Sequence, residues 1–183
     1  SIHGALQESQ HVFIENGLKL IDKKEINILE VSFGTGLNTW LTAKTNEIIS
    51  KTINYTCIEP FPITYKIAKN YISKFENLTI KDRELFLFLH KVEWGRGISL
   101  GNNFNLLKLK LDLSCYKPNP SEFDLIYYDA FSPNSQAEMW KTKHFIKLFD
   151  SLMPDGILVT YCAKGQLKRD LSSCGFEVNT VQG

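Results

Sequence analysis

Apolar residues recur along this chain at two spacings. Short runs rich in Val, Ile, Leu, Phe and Tyr predict strands at 26–32, 53–58, 104–111, 123–128, 156–161 and 176–181. Between them the spacing lengthens to that of a helix, predicting helices at 37–49, 63–75, 84–92, 135–152 and 165–174. Asn134 or Ser135 is placed to cap the fourth helix, with Pro154 and Gly156 marking its end. Alternation at this length implies an α/β fold: a mostly parallel sheet with helices on both faces. Repeats, low-complexity tracts and Gly/Ser linkers are absent, so the 183 residues read as a single domain, 1–183.

Composition narrows the function classes. At 43% hydrophobic and 12% aromatic the chain can bury a substantial core. A formal charge of +1 creates no global cationic field, so nucleic acid would have to be held by a local patch. Cys57, Cys115, Cys162 and Cys174 form no CxxC pair, and His3, His11, His90 and His144 make no ligand set. No metal is expected. There is no apolar run long enough for a membrane span and no signal-peptide pattern, so the expectation is a reduced, cytoplasmic protein.

In doubly wound sheets ligands sit beyond the carboxyl ends of the strands. Glu30, the segment Phe33-Gly34-Thr35-Gly36, Glu59, Asp112 and Asp129 all fall at such positions. The two glycines permit a tight turn and a close backbone approach to a ligand. Thr39 stands where a dinucleotide fingerprint would have its third glycine, which weakens a pyrophosphate reading, and no G-K-S/T follows for a P-loop. An ordinary strand-to-helix turn fits a lone GxG equally well. Glu59 ends the second strand, where an acid accepts hydrogen bonds from ribose hydroxyls. Asp112 ends the third, and is either an acceptor for an adenine amino group or a solvated loop acid. The sharpest signal is "FDLIYYDAFSPNSQAEMW", which delivers Asp129 to the sheet edge behind a run of apolar and aromatic residues. Such a carboxylate can orient an attacking nitrogen and accept its proton, or it can be a structural acid. Lys141, Lys143, Lys147, Lys164, Lys168 and Arg169 follow the same edge, as a phosphate-binding patch or as a solvated face.

The blocks "VSFGTGLNTW", "CIEPFPIT", "YYDAFSPNSQAEMW" and "GILVTYCAKGQLKRDLSSCGFEV", with the opening "HGALQESQHVFIENGL", resemble the methyltransferase domain of MnmC-type tRNA enzymes. That resemblance implies a Rossmann-like class I methyltransferase using S-adenosyl-L-methionine. Its substrate would be the wobble uridine in a tRNA anticodon stem-loop, carrying a 5-aminomethyl group that separate enzymes install. Its product would be 5-methylaminomethyl-uridine, often 2-thiolated. Many relatives carry a second, FAD-dependent domain, and this chain is too short to include one, so a stand-alone transferase is implied. By matching motif, Phe33, Gly34, Thr35 and Gly36 would line the methionine and ribose side of the cofactor. Glu59 would hold the ribose and Asp112 the adenine. Asp129 would stand beside cofactor and reacting nitrogen, with Glu30 and Asn38 as further cofactor contacts. Glu8, Phe131, Trp140, Lys164, Lys168 and Arg169 are the substrate-side candidates, and residues 1–25 an extension near the substrate. The family often has glycine where Leu111 precedes Asp112, and continues past the equivalent of "VQG" into a last strand. Other readings are a methyltransferase acting on a small-molecule or protein amine, a dinucleotide-dependent reductase, and a non-catalytic Rossmann-like binding domain.

Overall fold

The computed structural model describes residues 2–101 and 103–181, with side chains from residue 4 onward. At its centre is a six-stranded sheet in the order β3-β4-β2-β1-β5-β6. The strands are β1 (Glu25–Val31), β2 (Thr52–Ile58), β3 (Ile98–Leu100), β4 (Phe104–Leu109), β5 (Phe123–Tyr128) and β6 (Leu152–Val159). Neighbours are parallel except β3, which runs antiparallel to β4 at the edge. The parallel order turns back at β1, which lies between β2 and β5. Open α/β sheets hold their ligands at such a switch point.

The central strands are buried on both faces, which is why their sequences read as continuous apolar runs rather than alternating ones. Ile26 and Ile28 point into one core with Trp40, Tyr55, Phe86 and Tyr127. Helices α2 (Leu37–Ile49), α3 (Tyr65–Ser73) and α4 (Ile80–Lys91) contribute to it. Leu29 and Val31, one residue out of phase, enter a second core with Ile126, Tyr128, Phe145 and Leu148. Helices α5 (Thr142–Ser151) and α6 (Gly165–Ser173) close that side. Each fully buried side chain of this size contributes about 1.5–3 kcal/mol, so the two cores hold β1 and β5 rigidly beneath the switch point.

Local chemistry sets several boundaries. Thr79 and Asp82 form a reciprocal capping box that starts α4 four residues before the apolar spacing does. Buried Asn46 clasps the α2–β2 turn, donating to the Lys51 carbonyl at 2.8 Å and accepting its N–H at 3.0 Å. The helix expected at 135–152 is divided instead. A 3₁₀ turn (Ala137–Trp140) precedes α5, and extended Lys141 separates them. The Tyr128 hydroxyl bonds the Met139 carbonyl and the Trp140 indole donates to Phe131 O at 2.7 Å, pinning that turn to the core so it cannot run on into the helix. Neither Asn134 nor Ser135 caps α5, whose N-cap is Lys141.

The sheet differs from expectation at both edges. β3 has only three residues, too few for a periodic signal. β6 begins at Leu152, because Leu152 pairs with Phe123 before residues 153–156 bulge out and Ile157 pairs with Leu125. The strand expected at 176–181 is absent. Phe176 N–H bonds Leu171 O at 3.2 Å and Gly175 N–H bonds Ser172 O at 3.1 Å, a Schellman closure of α6 with Gly175 at φ 104°. The Phe176 ring then packs edge-on to Phe149 on α5, 5.0 Å between centroids. Its backbone donor and side chain thus serve the helices rather than the sheet.

Residues 2–25 are mostly helical: α1 (Ile2–Ser9), a π-helical turn (Gln10–Glu15) and a 3₁₀ turn (Leu18–Leu20). Phe13, Ile14 and Leu18 are buried in the first core, with Phe13 5.1 Å from Tyr127 between ring centroids.

Candidate active site

Leaving β1, the chain turns through Ser32, Gly34 and Gly36, all at positive φ (73°, 51° and 78°). Gly36 has two reasons to be glycine. Its backbone is left-handed, and a Cβ there would lie 2.7 Å from Phe33 Cζ and 3.0 Å from His90 Nε2. At Gly34 a Cβ would meet open space, its nearest neighbour being Ser32 O at 4.0 Å. The open side of the turn is therefore at Gly34. Beneath it the Phe33 ring is held by the edges of His90 and Trp94, at 5.4 and 5.6 Å, with the buried Lys108 ammonium 5.3 Å from its centroid. His90 Nε2 donates to Thr35 O at 2.9 Å. Burial pushes the His90 pKa down to about 4, so this donor is a neutral imidazole. Gly36 begins α2 without a side-chain cap, which leaves the helix's first N–H groups facing the cleft end of the sheet.

Glu59 ties the end of β2 to this turn. Its Oε2 accepts Gly34 N–H at 3.0 Å and its Oε1 accepts Phe61 N–H at 2.9 Å. Phe61, within the block "CIEPFPIT" but not singled out there, is 83% exposed beside it as an apolar surface. Asp112 lies apart from the turn, in its own bend. Its Oδ1 accepts Ser114 N–H at 2.8 Å, and Ser114, through its hydroxyl and then this N–H, holds the carboxyl below the usual range, with His144 and Lys147 helping.

Asp129 follows β5, its N–H bonded to Val31 O at 3.1 Å. That bond sets its side chain next to α2, where Asn38 Nδ2 donates to Asp129 Oδ2 at 2.8 Å. Burial pushes the Asp129 pKa up to about 7, opposed by the Asn38 bond and assisted by the charge of Glu8. Burial likewise raises the Tyr71 phenol, with Thr35 and Asp129 as its neighbours, and raises Tyr161 to about 12, with Asp129 and Glu8 nearby. The Tyr161 hydroxyl donates to Ala130 O at 2.8 Å. Glycine turn, Asn38, Asp129, Glu8 and two tyrosines thus converge. Tyr161 was legible as the residue ending the run "GILVTY"; Tyr71, on the exposed-looking α3, carried no signal.

Two site candidates move from lining the cleft to supporting it. Glu30 is 0% exposed on the α2 face of β1, where its Oε2 accepts Thr39 Oγ1 at 2.6 Å and Tyr55 OH at 2.9 Å. With no exposed surface, it faces the core rather than the cleft. Trp140 is 8% exposed and packed among Tyr128, Phe145 and Tyr161, so no base can stack on it. Lys147 also turns inward, onto the carbonyls of Leu113 and Tyr116. Phe131 remains outward at 75% exposure. Lys164 reaches Asn134 Oδ1 at 2.8 Å across the mouth of the loop after Asp129. Lys168 and Arg169 lie along α6, bonded to Thr180 and Gln166.

A switch-point turn with an open glycine, an acid bridging it to β2 and a second acid after β5 define a class I S-adenosylmethionine-dependent methyltransferase fold. Known proteins agree with this. A model of an S-adenosyl-L-methionine-dependent methyltransferase family matches residues 103–183. The chain is thus similar to S-adenosyl-L-methionine-dependent methyltransferases over that segment and to MnmC over its whole length, which supports S-adenosylmethionine as its cofactor. It is 25% identical over its full length to the tRNA 5-methylaminomethyl-2-thiouridine biosynthesis bifunctional protein MnmC of Methylobacillus flagellatus, covering 30% of that protein. The MnmC of Cupriavidus metallidurans is 28% identical, again over the whole chain and 29% of the relative. The chain therefore spans about three-tenths of the length of these relatives. Among solved structures, MnmC2 from Aquifex aeolicus aligns with a TM-score of 0.72 at 23% identity, over 94% of this chain and 55% of that one. The [4+2]-cyclase SpnF shares the fold at a TM-score of 0.56 and 16% identity, over 97% of this chain and 58% of that one. The fold alone thus does not decide the reaction. Among the described residues no helix is long and apolar enough to cross a membrane, and no His/Cys/Asp/Glu group could hold a metal ion.

Proposed function

We propose that the protein is an N-methyltransferase that converts 5-aminomethyl-(2-thio)uridine at the tRNA wobble position into 5-methylaminomethyl-(2-thio)uridine. The observation that carries this reading is Asp129, a partly buried carboxylate fixed by Asn38 beside the open glycine turn. The name of the MnmC relatives supports the choice of substrate.

The residues present fit the cofactor. Open space at Gly34 admits a ligand against the backbone, and Glu59 stands on that turn with carboxylate oxygens able to exchange backbone donors for ribose hydroxyls. Phe33, Thr35 and Gly36 shape the methionine side, Phe61 offers an apolar face beside Glu59, and Asp112 serves the adenine end. When bound, S-adenosylmethionine supplies an activated methyl group. The chain supplies alignment and proton handling. A free aliphatic amine near neutral pH is mostly protonated, with lysine as a guide at about 10.4, and only its neutral form is nucleophilic. Asn38 occupies Asp129 Oδ2, leaving Oδ1 to accept an amine N–H, orient the lone pair and stabilise the positive charge that develops on nitrogen. Tyr71 and Tyr161 reduce water access around this carboxylate, which also disfavours the ammonium form. Residues 1–25 form the substrate-side wall through Glu8. Phe131 stacks on the splayed base, while Lys164, with Lys168 and Arg169 behind it, meets the phosphates of the anticodon stem-loop. Enzymes that install the aminomethyl group provide the substrate.

The test is transfer of labelled methyl from S-adenosylmethionine to tRNA from cells lacking this gene, with mass spectrometry of the nucleosides. New 5-methylaminomethyl-uridine is the expected product. Methylation of free or protein amines in preference to tRNA would favour the other reading, an enzyme for small-molecule or protein amines. The inward turn of Lys147, which thins the basic patch, is the observation on that side.

A further inference from the structure

The first core contains an anomaly at its edge with the site. Glu30 occupies a β1 position whose neighbours on the same face, Ile26 and Ile28, are apolar, and it is fully buried. Its surroundings from each packed element are Thr39 and Asn38 on α2, Tyr55 and Cys57 on β2, Tyr127 on β5, and Asp129 just beyond β5. None of these is a cation; the buried Lys108 lies one strand further, beyond Cys57, with its ammonium donating to Leu89 O at 2.8 Å. Burial holds the Tyr55, Cys57 and Tyr127 groups above their usual ranges, so all are neutral. An ionised Glu30 would be a buried, unpaired charge facing a second acid, an arrangement proteins avoid by protonation.

The hydrogen bonds identify where that proton is needed. Glu30 Oε2 is satisfied twice, by Thr39 and Tyr55, while Oε1 has no partner. Asn38 is in the same condition: its Nδ2 serves Asp129, but its Oδ1 is buried without a donor. Asn38 lies within hydrogen-bonding reach of the Glu30 carboxyl, where its amide N–H would favour the charged form and its amide oxygen the neutral one. Two adjacent buried acceptors without donors are satisfied together by one proton.

We propose that Glu30 is a neutral positioning residue, protonated on Oε1 and donating to Asn38 Oδ1, so that the Asn38 amide is locked with its N–H on Asp129. The relay runs from Tyr55 and Thr39 through Glu30 and Asn38 to Asp129, and Glu30 never touches substrate or cofactor. Burial and the nearby Asp129 charge push its pKa to about 8, against Thr39, Tyr55 and Asn38 acting the other way, which agrees with a neutral acid at physiological pH. The inference rests on the proposed role of Asp129 only for its effect on turnover.

The test uses the full chain with Glu30→Gln, Glu30→Ala and Asp129→Asn. In the Asp129→Asn background, which removes the other raised carboxyl, infrared spectra at pH 6 should contain a protonated-carboxyl carbonyl band that adding Glu30→Gln removes. In nitrogen-edited NMR spectra the Asn38 side-chain NH₂ signals should stay in place in Glu30→Gln, whose amide N–H replaces the acid donor, and shift in Glu30→Ala. On the proposed tRNA substrate, Glu30→Ala should lower kcat about 10²-fold with little change in KM, and Glu30→Gln should restore it. Absence of a Glu30-dependent acid band overturns the proposal, as does an Asn38 signal displaced equally by Gln and Ala. Should Glu30→Ala not fold, the infrared comparison decides alone. Neither spectroscopic readout uses tRNA, so a wrong substrate would show as an inactive wild type while the protonation state of Glu30 is still decided.

Discussion

On the β1–α2 side of the cleft, the fold holds each site atom from beneath; on the rim beyond β5, side chains project into solvent with little behind them. Gly36 is wedged against Phe33 and His90, Glu59 clasps the turn, and Asn38 is 2% exposed while gripping Asp129. Across the cleft Phe131 stands outward, and Lys164 has only Asn134 as a partner. The first side is suited to a ligand of fixed shape, the second to a large polyanion that brings its own order. This division predicts that mutations on one side register as stability or cofactor affinity, and on the other as substrate affinity.

The largest contrast should come from two aromatic residues bonded to each other. Trp140→Ala empties part of the second core and leaves Phe131 O without its donor, so denaturant unfolding should record a loss of about 3–5 kcal/mol. Phe131→Ala should stay within about 0.5 kcal/mol of wild-type stability. It should weaken tRNA binding by about 1–3 kcal/mol, the worth of one stacked base. Equal losses of stability would erase the distinction between the loop and its support.

The two glycines sharpen it next. Gly36→Val combines a left-handed backbone with a clash at Phe33, and should cost about 2–5 kcal/mol while abolishing S-adenosylmethionine binding in calorimetry. Gly34→Ala carries only the backbone term, about 1–2 kcal/mol, because its Cβ meets open space. Its effect should fall mainly on cofactor affinity, since that space is the cofactor's.

Among the lysines the expected effects are smaller and differ in kind. Lys164→Ala should reduce the salt dependence of tRNA binding by about one unit of slope without changing stability. Lys147→Ala should leave the slope unchanged and lower stability, because its ammonium serves the Leu113 and Tyr116 carbonyls. The most diagnostic change is a pH slope. Glu30 has a folded pKa near 8 against 4.5 when exposed, so it binds a proton more tightly in the folded state. Its contribution is complete below pH 4.5 and is lost as pH rises through about 8. Wild-type melting temperature should therefore fall more steeply across that window than that of Glu30→Gln.

The same division explains what could be read from the sequence. Residues 37–49 and 123–128 were placed to the residue, because α2 is bounded by Gly36 and Ser50, both left-handed, and β5 is buried along its whole length. The positions of Gly34, Gly36, Glu59 and Asp129 followed from strand ends, since backbone topology carries them. Side-chain direction did not follow. Glu30 and Trp140 are spaced as cleft residues, yet the alternation of β1 and the Tyr128–Met139 bond turn them inward. Phe176 reads as the start of a strand because its neighbours are β-formers, but the Gly175 closure of α6 takes its N–H first. The Thr79–Asp82 box was present in the sequence and gives the true start of α4. Tyr71 converges on Asp129 only through the packing of α3, which no local pattern encodes.

The central claim is that Asp129 acts on the substrate nitrogen while the glycine turn holds the cofactor. It is tested most directly by Asp129→Asn, with calorimetric titration of S-adenosylmethionine followed by single-turnover methyl transfer on the same samples. The account predicts affinity close to wild type and a fall in turnover of about 10²–10⁴-fold, the usual worth of a positioned acid–base group. Unchanged turnover would contradict it, and would leave Asp129 a structural acid at the end of β5.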